Sequence, residues 1–265
     1  MRGWEFERPP RWGIIGLVLL VLVNVALFTA VALSGERADP YGESRTVGGT
    51  SVPTQQSPRT SAAGAQAEDG RPVPVLAVYG DGYAAGNESG GLGAAGWPAL
   101  VAERTKAQLQ LHAVSQCGYA SVGTTGQNFS SLVTDQPVSE AAVTVIFGSR
   151  NDLGESVDAV RANAADVIAA VRTQSPGTVV VVVGPAWDDA AFPSALLPVR
   201  DAVRAAAQAE DVTFVDPLAE EWFAASSGLI AADGISPTDE GHVYLADQLT
   251  PVILAALAQA AGPTG

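Results

Sequence analysis

The side chains that could take part in catalysis or binding fall in four short blocks. Three of these blocks directly follow an apolar run that is typical of a β-strand. The blocks are residues 80–86, 115–119, 148–152 and 233–238. Two carboxylates in them, Asp81 and Asp152, are a candidate pair for general acid–base work or for holding a metal ion. Cys117 is a candidate thiol nucleophile, provided that a neighbour stabilises its thiolate. Each has a structural alternative, because carboxylates in turns bond backbone N–H groups and a small thiol packs well in a core.

Only two histidines can serve as a general base, and Arg150 is the one cation within the blocks. His242 lies in the first turns of the last helix, where it acts either as the base or as a packing or capping residue. His112 lies in the second strand, which favours a core or face position. Arg150 either contacts an anionic group of a ligand or forms a surface ion pair.

Strands alternate with helices along the whole region that carries these blocks. Strands are predicted at residues 74–79, 108–114, 142–148, 178–184 and 212–216, and helices at 96–107, 155–173, 194–209 and 239–260. The continuous valine run from Val179 to Val183 is typical of a strand buried on both faces. Strand–helix alternation predicts an α/β fold with a parallel sheet and helices on both sides. Since ligands of such sheets bind beyond the carboxyl ends of the strands, the blocks are expected to meet there.

Taken in order, the four blocks resemble those of the SGNH (GDSL-type) hydrolase family, most closely its actinobacterial cell-envelope members. The resemblance covers roughly residues 73–260 and implies a flavodoxin-like three-layer sandwich with a five-stranded parallel sheet. It also implies roles for single positions. Gly118 matches the glycine whose N–H joins the oxyanion hole, and Asn151 matches the asparagine whose amide completes it. Asp233 matches the aspartate that orients the catalytic histidine.

Two positions depart from the family pattern, and both belong to the catalytic triad. Gly82 stands where the family has its nucleophilic serine, and Ser236 stands where it has the histidine base. Acyl transfer through a covalent intermediate needs both groups, so the pattern predicts a pseudo-enzyme. Ser236 followed by Pro237 also fits a helix start, with serine as the N-cap and proline at the first helical position.

The amino-terminal region predicts a membrane anchor followed by a tether. Residues 13–33 are uncharged and long enough for a transmembrane helix, after a cytoplasmic tail at 1–12. The alternative is a cleaved signal peptide and a secreted domain, because residues 30–32 have the A-x-A form. Residues 34–72 have the composition of a disordered linker. We therefore expect a single-pass protein of the cell membrane whose domain, residues 73–262, is extracytoplasmic.

Charge and cysteine content narrow the classes of partner. Residues 1–72 hold seven of the 14 Lys and Arg and seven of the 28 Asp and Glu, so the net charge of −14 lies on the domain. Such an acidic domain argues against nucleic acid as a partner. A single cysteine excludes an intramolecular disulfide. No cofactor and no metal ion are expected.

Three functions remain open at this point. The first is a pseudo-enzyme that binds an acylated or glycan envelope ligand, or a protein partner, without turning it over. The second is an active esterase, acyltransferase or deacetylase that uses a nonstandard nucleophile or base. The third is a structural envelope module with a vestigial pocket.

Overall fold

The computed structural model describes residues 72–224 and 228–262. Its strands consist mainly of β-branched and other aliphatic residues. The strands are β1 (Val75–Gly80), β2 (Gln108–Ala113), β3 (Ala141–Phe147), β4 (Val179–Val183) and β5 (Thr213–Val215). All four neighbouring pairs run parallel, in the order β2-β1-β3-β4-β5. This is the strand order of flavodoxin-like folds. The predicted five-stranded parallel sheet is therefore confirmed.

Helices connect the strands and cover both faces of the sheet. They are α1 (Gly82–Ala85), α2 (Trp97–Thr105), α3 (Phe129–Asp135), α4 (Val157–Gln174), α5 (Leu196–Ala209) and α6 (Asp239–Ala260). Short 3-10 turns lie at Gly93–Ala95 and Arg150–Asp152. The four long helices agree with the sequence prediction to within about two residues. The sequence prediction did not include α1 or α3.

Two separate apolar layers hold the helices to the sheet. Side chains alternate along β4, so that Val180 and Val182 pack with α3, α4 and α5, whereas Val181 and Val183 pack with α2 and α6. The valine run is thus buried on both faces, as expected for a strand between two helical layers.

Helix α6 is the one helix in the described part of the chain whose length and composition would suffice to cross a membrane. Its residues Leu245, Leu249 and Ile253 are fully buried in the layer that it shares with α2. It is therefore a core helix of the domain. The proposed anchor at 13–33 and the linker at 34–72, except for residue 72, lie outside the described residues.

Sheet order also fixes where a ligand can approach. The chain leaves β1 toward β2 on one side, whereas β3 lies on the other side of β1, so the order reverses between β1 and β3. A crevice forms at such a reversal, beyond the carboxyl ends of the two strands. The first and third blocks begin there, at Gly80 and Gly148.

Candidate active site

The first block turns directly from β1 into the one-turn helix α1, and Asp81 holds that turn. Its Oδ1 accepts the N–H of Tyr83 at 2.9 Å, and its Oδ2 accepts the side-chain amide of Asn151 at 2.8 Å. The carboxyl group is buried, and burial raises the pKa of Asp81 to about 7. The hydrogen bond from Tyr83 and the positive charge of Arg150 lower this pKa, but by less than burial raises it. Asp81 thus joins the first block to the third.

Gly82 is the first residue of α1, so the position that the resemblance assigns to the nucleophile has no side chain. A Cβ placed on it would lie 3.3 Å from the hydroxyl oxygen of Ser115, which follows β2. Ser115 is exposed. Sequence reasoning assigned it no role, although its place directly after the neighbouring strand was a usable signal. The hydroxyl group nearest to the vacant position therefore comes from the second block.

Asp152 organises the loop that carries the second block. It is fully buried, and its two carboxylate oxygens accept the N–H groups of Tyr119, Ala120 and Ser121 at 2.8–2.9 Å. The structural alternative for Asp81 and Asp152 is thus confirmed, because both bond backbone N–H groups. The loop passes so close that a Cβ on Gly118 would overlap Ser149 and lie 2.5 Å from an oxygen of Asp152.

The groups predicted to form the oxyanion hole are bonded within the protein. The N–H of Gly118 donates to the carbonyl oxygen of Ser121 at 2.9 Å. The amide of Asn151 donates to Asp81 and to the carbonyl oxygen of Cys117, each at 2.8 Å. An amide nitrogen carries two hydrogens, so both are engaged. The resemblance implies a third donor, the N–H of Gly82, which is the first residue of α1 and therefore has no intrahelical acceptor. A role for Gly118 and Asn151 in holding a ligand oxygen stays a prediction.

The fourth block is held by its own aspartate. Oδ1 of Asp233 accepts the N–H groups of Ile235 and Ser236, each at 2.9 Å, and hydrogen bonding from Ser236 lowers the pKa of Asp233. The hydroxyl of Ser236 accepts the amide of Asn87 at 2.7 Å. Asn87 comes shortly after α1, so this bond ties the first block to the fourth. Residues 233–236 thus form a turn that is closed by the Asp233 carboxylate, and no histidine lies in it.

The last helix begins where the strand–helix pattern predicts, at residue 239, and not at the alternative start of Ser236 and Pro237. The N-cap of α6 is Thr238, whose hydroxyl accepts the N–H of Gly241 at 3.1 Å, and the helix begins at Asp239. The prediction of Ser236 as N-cap and Pro237 as first helical residue was wrong. The physical reason is that the hydroxyl of Ser236 is bonded to Asn87 instead, which leaves the second hydroxyl residue to cap the helix.

Two of the candidate substitute groups lie in packed positions. The thiol of Cys117 is fully buried and donates to the carbonyl oxygen of Gly80 at 3.3 Å. Burial, reinforced by the charge of Asp81, raises the pKa of Cys117 to about 12, so the nucleophilic thiolate is disfavoured near neutral pH. His112 stacks on Tyr79 and bonds Gln136 at 2.8 Å, which agrees with the predicted face position.

His242 caps a neighbouring helix. Its Nδ1 accepts the N–H of Trp97, the first residue of α2, at 3.3 Å, and its ring lies against Gly91, where a Cβ would overlap it. Burial lowers the pKa of His242 to about 4 although the charge of Asp239 raises it. The imidazole is therefore neutral and buried at pH 7, as the packing and capping alternative predicted.

We expect the buried imidazole to make stability fall in mild acid. The pKa of His242 is lower in the folded protein, about 4, than its ordinary value of 6.5, so the unfolded chain binds its proton first. Its stabilisation is therefore complete above pH 6.5 and is lost as pH falls toward 4. At about 1.4 kcal/mol for each pKa unit, the loss reaches at most about 3 kcal/mol.

The measurement is the free energy of unfolding between pH 4 and 7 for the wild type and for His242→Gln, which keeps an acceptor but does not titrate. The wild-type curve should be steeper. Asp81 acts with the opposite sign, because its raised pKa gives stabilisation that is lost as pH rises toward 7. That contribution is common to both proteins, so parallel curves would contradict the assignment to His242.

Arg150 forms a largely buried ion pair at the crevice. Its guanidinium donates to the hydroxyl of Tyr83 at 3.0 Å and forms an ion pair with Asp188 at an N···O distance of 3.1 Å. Its carbon lies 3.9 Å from the ring centre of Trp187. The ion-pair alternative is thus the one observed, although the pair is mostly covered by protein. Within residues 72–224 and 228–262, no three His, Cys, Asp or Glu side chains group as a metal site.

Residues 78–244 match the model of the GDSL-like Lipase/Acylhydrolase family. The chain is also 36% identical over 186 residues to a GDSL lipase of Mycobacterium tuberculosis strain H37Rv, which covers 67% of this chain and 80% of that protein.

Solved structures show the same fold at low sequence identity. A family two carbohydrate esterase from Clostridium thermocellum, in complex with cellohexaose, aligns with a TM-score of 0.56 and 16% identity over 71% of this chain and 66% of that one. A G-D-S-L family protein from Desulfitobacterium hafniense DCB-2 aligns with a TM-score of 0.55 and 13% identity over 67% of this chain and 98% of that one.

Proposed function

This chain belongs to the GDSL-like lipase/acylhydrolase family, and from that premise we propose that it binds a ligand without hydrolysing it. One observation carries the proposal: the nucleophile position is Gly82, and the base position is Ser236. A serine hydroxyl is no base near neutral pH, and a glycine has no group with which to attack.

The remaining candidates do not replace the lost groups. The Cys117 thiol is buried with a raised pKa, and the His242 imidazole is buried against α2. Ser115 is exposed beside Gly82, but no histidine lies in its loop, residues 115–128. Nucleophilic catalysis by serine requires an adjacent base, so the arrangement supports binding rather than turnover.

The ligand that we propose is an acylated or glycan component of the cell envelope, or a protein partner there. Membership of an acylhydrolase family supports an acyl-bearing ligand. The uncharged run at residues 13–33 supports a single-pass anchor that holds the domain on the outer side of the cell membrane. The acidic domain supports a partner other than nucleic acid.

We expect the purified full-length protein to show no hydrolysis of p-nitrophenyl acetate or butyrate above the catalyst-free rate. It should also remain unlabelled by a fluorophosphonate probe, which reacts with activated serines. In a studied serine hydrolase, loss of the serine or the histidine costs about 10⁶ in turnover. The measurement is the initial rate beside a heat-denatured sample.

Turnover that disappears in Asp233→Ala or Ser115→Ala would overturn the proposal in favour of an active esterase with a nonstandard nucleophile. Turnover that both variants retain would instead place a reactive group outside the four blocks. Either result would reject a binding-only function.

A further inference from the structure

Arg150 is surrounded by protein groups that a ligand could replace. It follows β3, at the reversal of strand order where ligands of this fold class bind. Asp188 pairs with one of its nitrogens, and Tyr83 accepts from another. The side chains of Arg150 and Asp188 are 12% and 19% exposed, so water reaches the pair but does not surround it.

The pair joins a loop to the edge of a crevice. Trp187 and Asp188 both belong to residues 184–194, a segment without a helix or strand between β4 and α5. Ala186 of the same segment lines a narrow crevice together with Asp81, Tyr83, Phe147, Gly148 and Arg150. Asp81 and Tyr83 flank Gly82 in sequence, so this crevice adjoins the vacant nucleophile position.

The largely buried guanidinium of Arg150 needs an anion beside it. Removing its counter-charge without a replacement would leave a largely buried cation unpaired, which is costly. A carboxylate or phosphate of a ligand offers the same oxygens as Asp188 and can bind arginine by two parallel hydrogen bonds. Burial raises the pKa of Asp81 to about 7, so near neutral pH much of this carboxyl is uncharged and repels an incoming anion less.

We propose that Arg150 binds an anionic group of the ligand, a carboxylate or a phosphate, in exchange for Asp188, and that the exchange releases residues 184–194 from the crevice. The proposal rests on the ligand-binding function above and names the charge that the ligand must carry. In the absence of such a ligand, Asp188 and Trp187 hold the loop against Arg150 at the edge of the crevice.

The test compares two single variants with equal changes of net charge. Asp188→Asn removes the competing carboxylate, whereas Asp189→Asn changes its exposed neighbour, whose side chain bonds only the N–H of Ala191. The full-length protein is titrated with sodium acetate and with sodium phosphate at constant ionic strength, balanced with chloride. Hydrogen exchange of residues 184–194 is followed by mass spectrometry.

We expect either anion to speed exchange of the loop in the wild type. Without any anion, the loop should already exchange about tenfold faster in Asp188→Asn than in the wild type, since a tenfold change corresponds to the loss of one modest ion pair. Added anion should speed it no further there, whereas Asp189→Asn should respond as the wild type does. Arg150→Gln should abolish the response. Arg150→Lys, which keeps the charge without the planar fork, should weaken it and guards against a folding failure of the glutamine variant.

Equal responses of the two aspartate variants, or an equal response to chloride alone, would overturn the proposal. A response to acetate only would assign a carboxylated ligand, and one to phosphate only a phosphorylated ligand. Absence of any anion response in a protein that also lacks hydrolysis would reject this inference alone. Hydrolysis of p-nitrophenyl esters would reject the binding-only function, whatever the anions do.

Discussion

The double variant Gly82→Ser with Ser236→His should hydrolyse p-nitrophenyl acetate measurably, whereas the wild type should not. The substitution at residue 82 is sterically modest, because the new Cβ would meet only Ser115, with its hydroxyl 3.3 Å away on an exposed side chain. At residue 236, Asp233 already bonds the backbone of the position and could orient an imidazole placed there. The pair of changes thus supplies the nucleophile and its base together.

We expect this activity to remain at least about 10²–10³-fold below that of a related enzyme with free oxyanion donors, since each such donor contributes about that factor. The N–H of Gly118 and both hydrogens of the Asn151 amide are bonded within the protein. Two of three donors must therefore be released before they can stabilise a tetrahedral intermediate. Steady-state kinetics with a soluble acetate ester measure the difference.

Matched variants separate chemistry from nonspecific ester cleavage. Gly82→Ala with Ser236→His keeps the base without a nucleophile, and Gly82→Ser with Ser236→Gln keeps the nucleophile without a base. Both should be inactive, because removing either group costs about as much as removing the whole triad. If the double variant is no faster than these two, the blocks no longer meet in a catalytic arrangement.

Removal of the Asp152 carboxylate should cost more stability than any other single change in the blocks. Asp152→Ala would leave three backbone N–H groups without their acceptor, those of Tyr119, Ala120 and Ser121. An unsatisfied buried donor costs about 1–3 kcal/mol, so three of them cost on the order of 3–9 kcal/mol. That is a large share of the roughly 5–15 kcal/mol by which domains are stable.

Urea unfolding at pH 7 gives the free-energy difference, with Asp166→Ala on the exposed side of α4 as the control. The control should change stability by no more than about 0.5 kcal/mol. Asp152→Asn, which keeps an oxygen acceptor, should fall between the two and provides a value if the alanine variant does not fold. Equal effects of Asp152→Ala and Asp166→Ala would refute the role of the carboxylate.

The sheet and the long helices could be predicted from sequence because their signal is local and repeated. The valines of β4 and the apolar spacing of α4 each identify an element without reference to the rest of the chain. Helix α3 was not predicted because it has only seven residues. Its amino-terminal end is fixed by a capping box, in which the side chains of Asn128 and Ser131 each accept the backbone N–H of the other residue. The short helix α1 likewise depends on a single carboxylate.

The sequence predicts the candidate site as a set of positions but not its hydrogen bonds. Motif order predicts Gly82, Gly118, Asn151, Asp233 and Ser236 as site residues. Two of them have partners that are distant in sequence: Asn87 for Ser236, and Asp81 for Asn151. A sequence pattern does not say which of several acceptors an amide group will bond. The hydrogen bonds of Gly118 and Asn151 and the capping role of Thr238 therefore follow only from the three-dimensional structure.

Because the Asp152 carboxylate holds a loop, its presence in a sequence indicates the fold of this family. A chain that adopts this loop needs an acceptor for three adjacent N–H groups whether or not it turns over a substrate. The same holds for Asp81, which caps α1 beside an empty nucleophile position. Asp81 and Asp152 thus support the fold, so their presence in a sequence indicates the architecture and not an activity. Under the function proposed above, it is the residues at positions 82 and 236 that decide whether such a protein hydrolyses an ester.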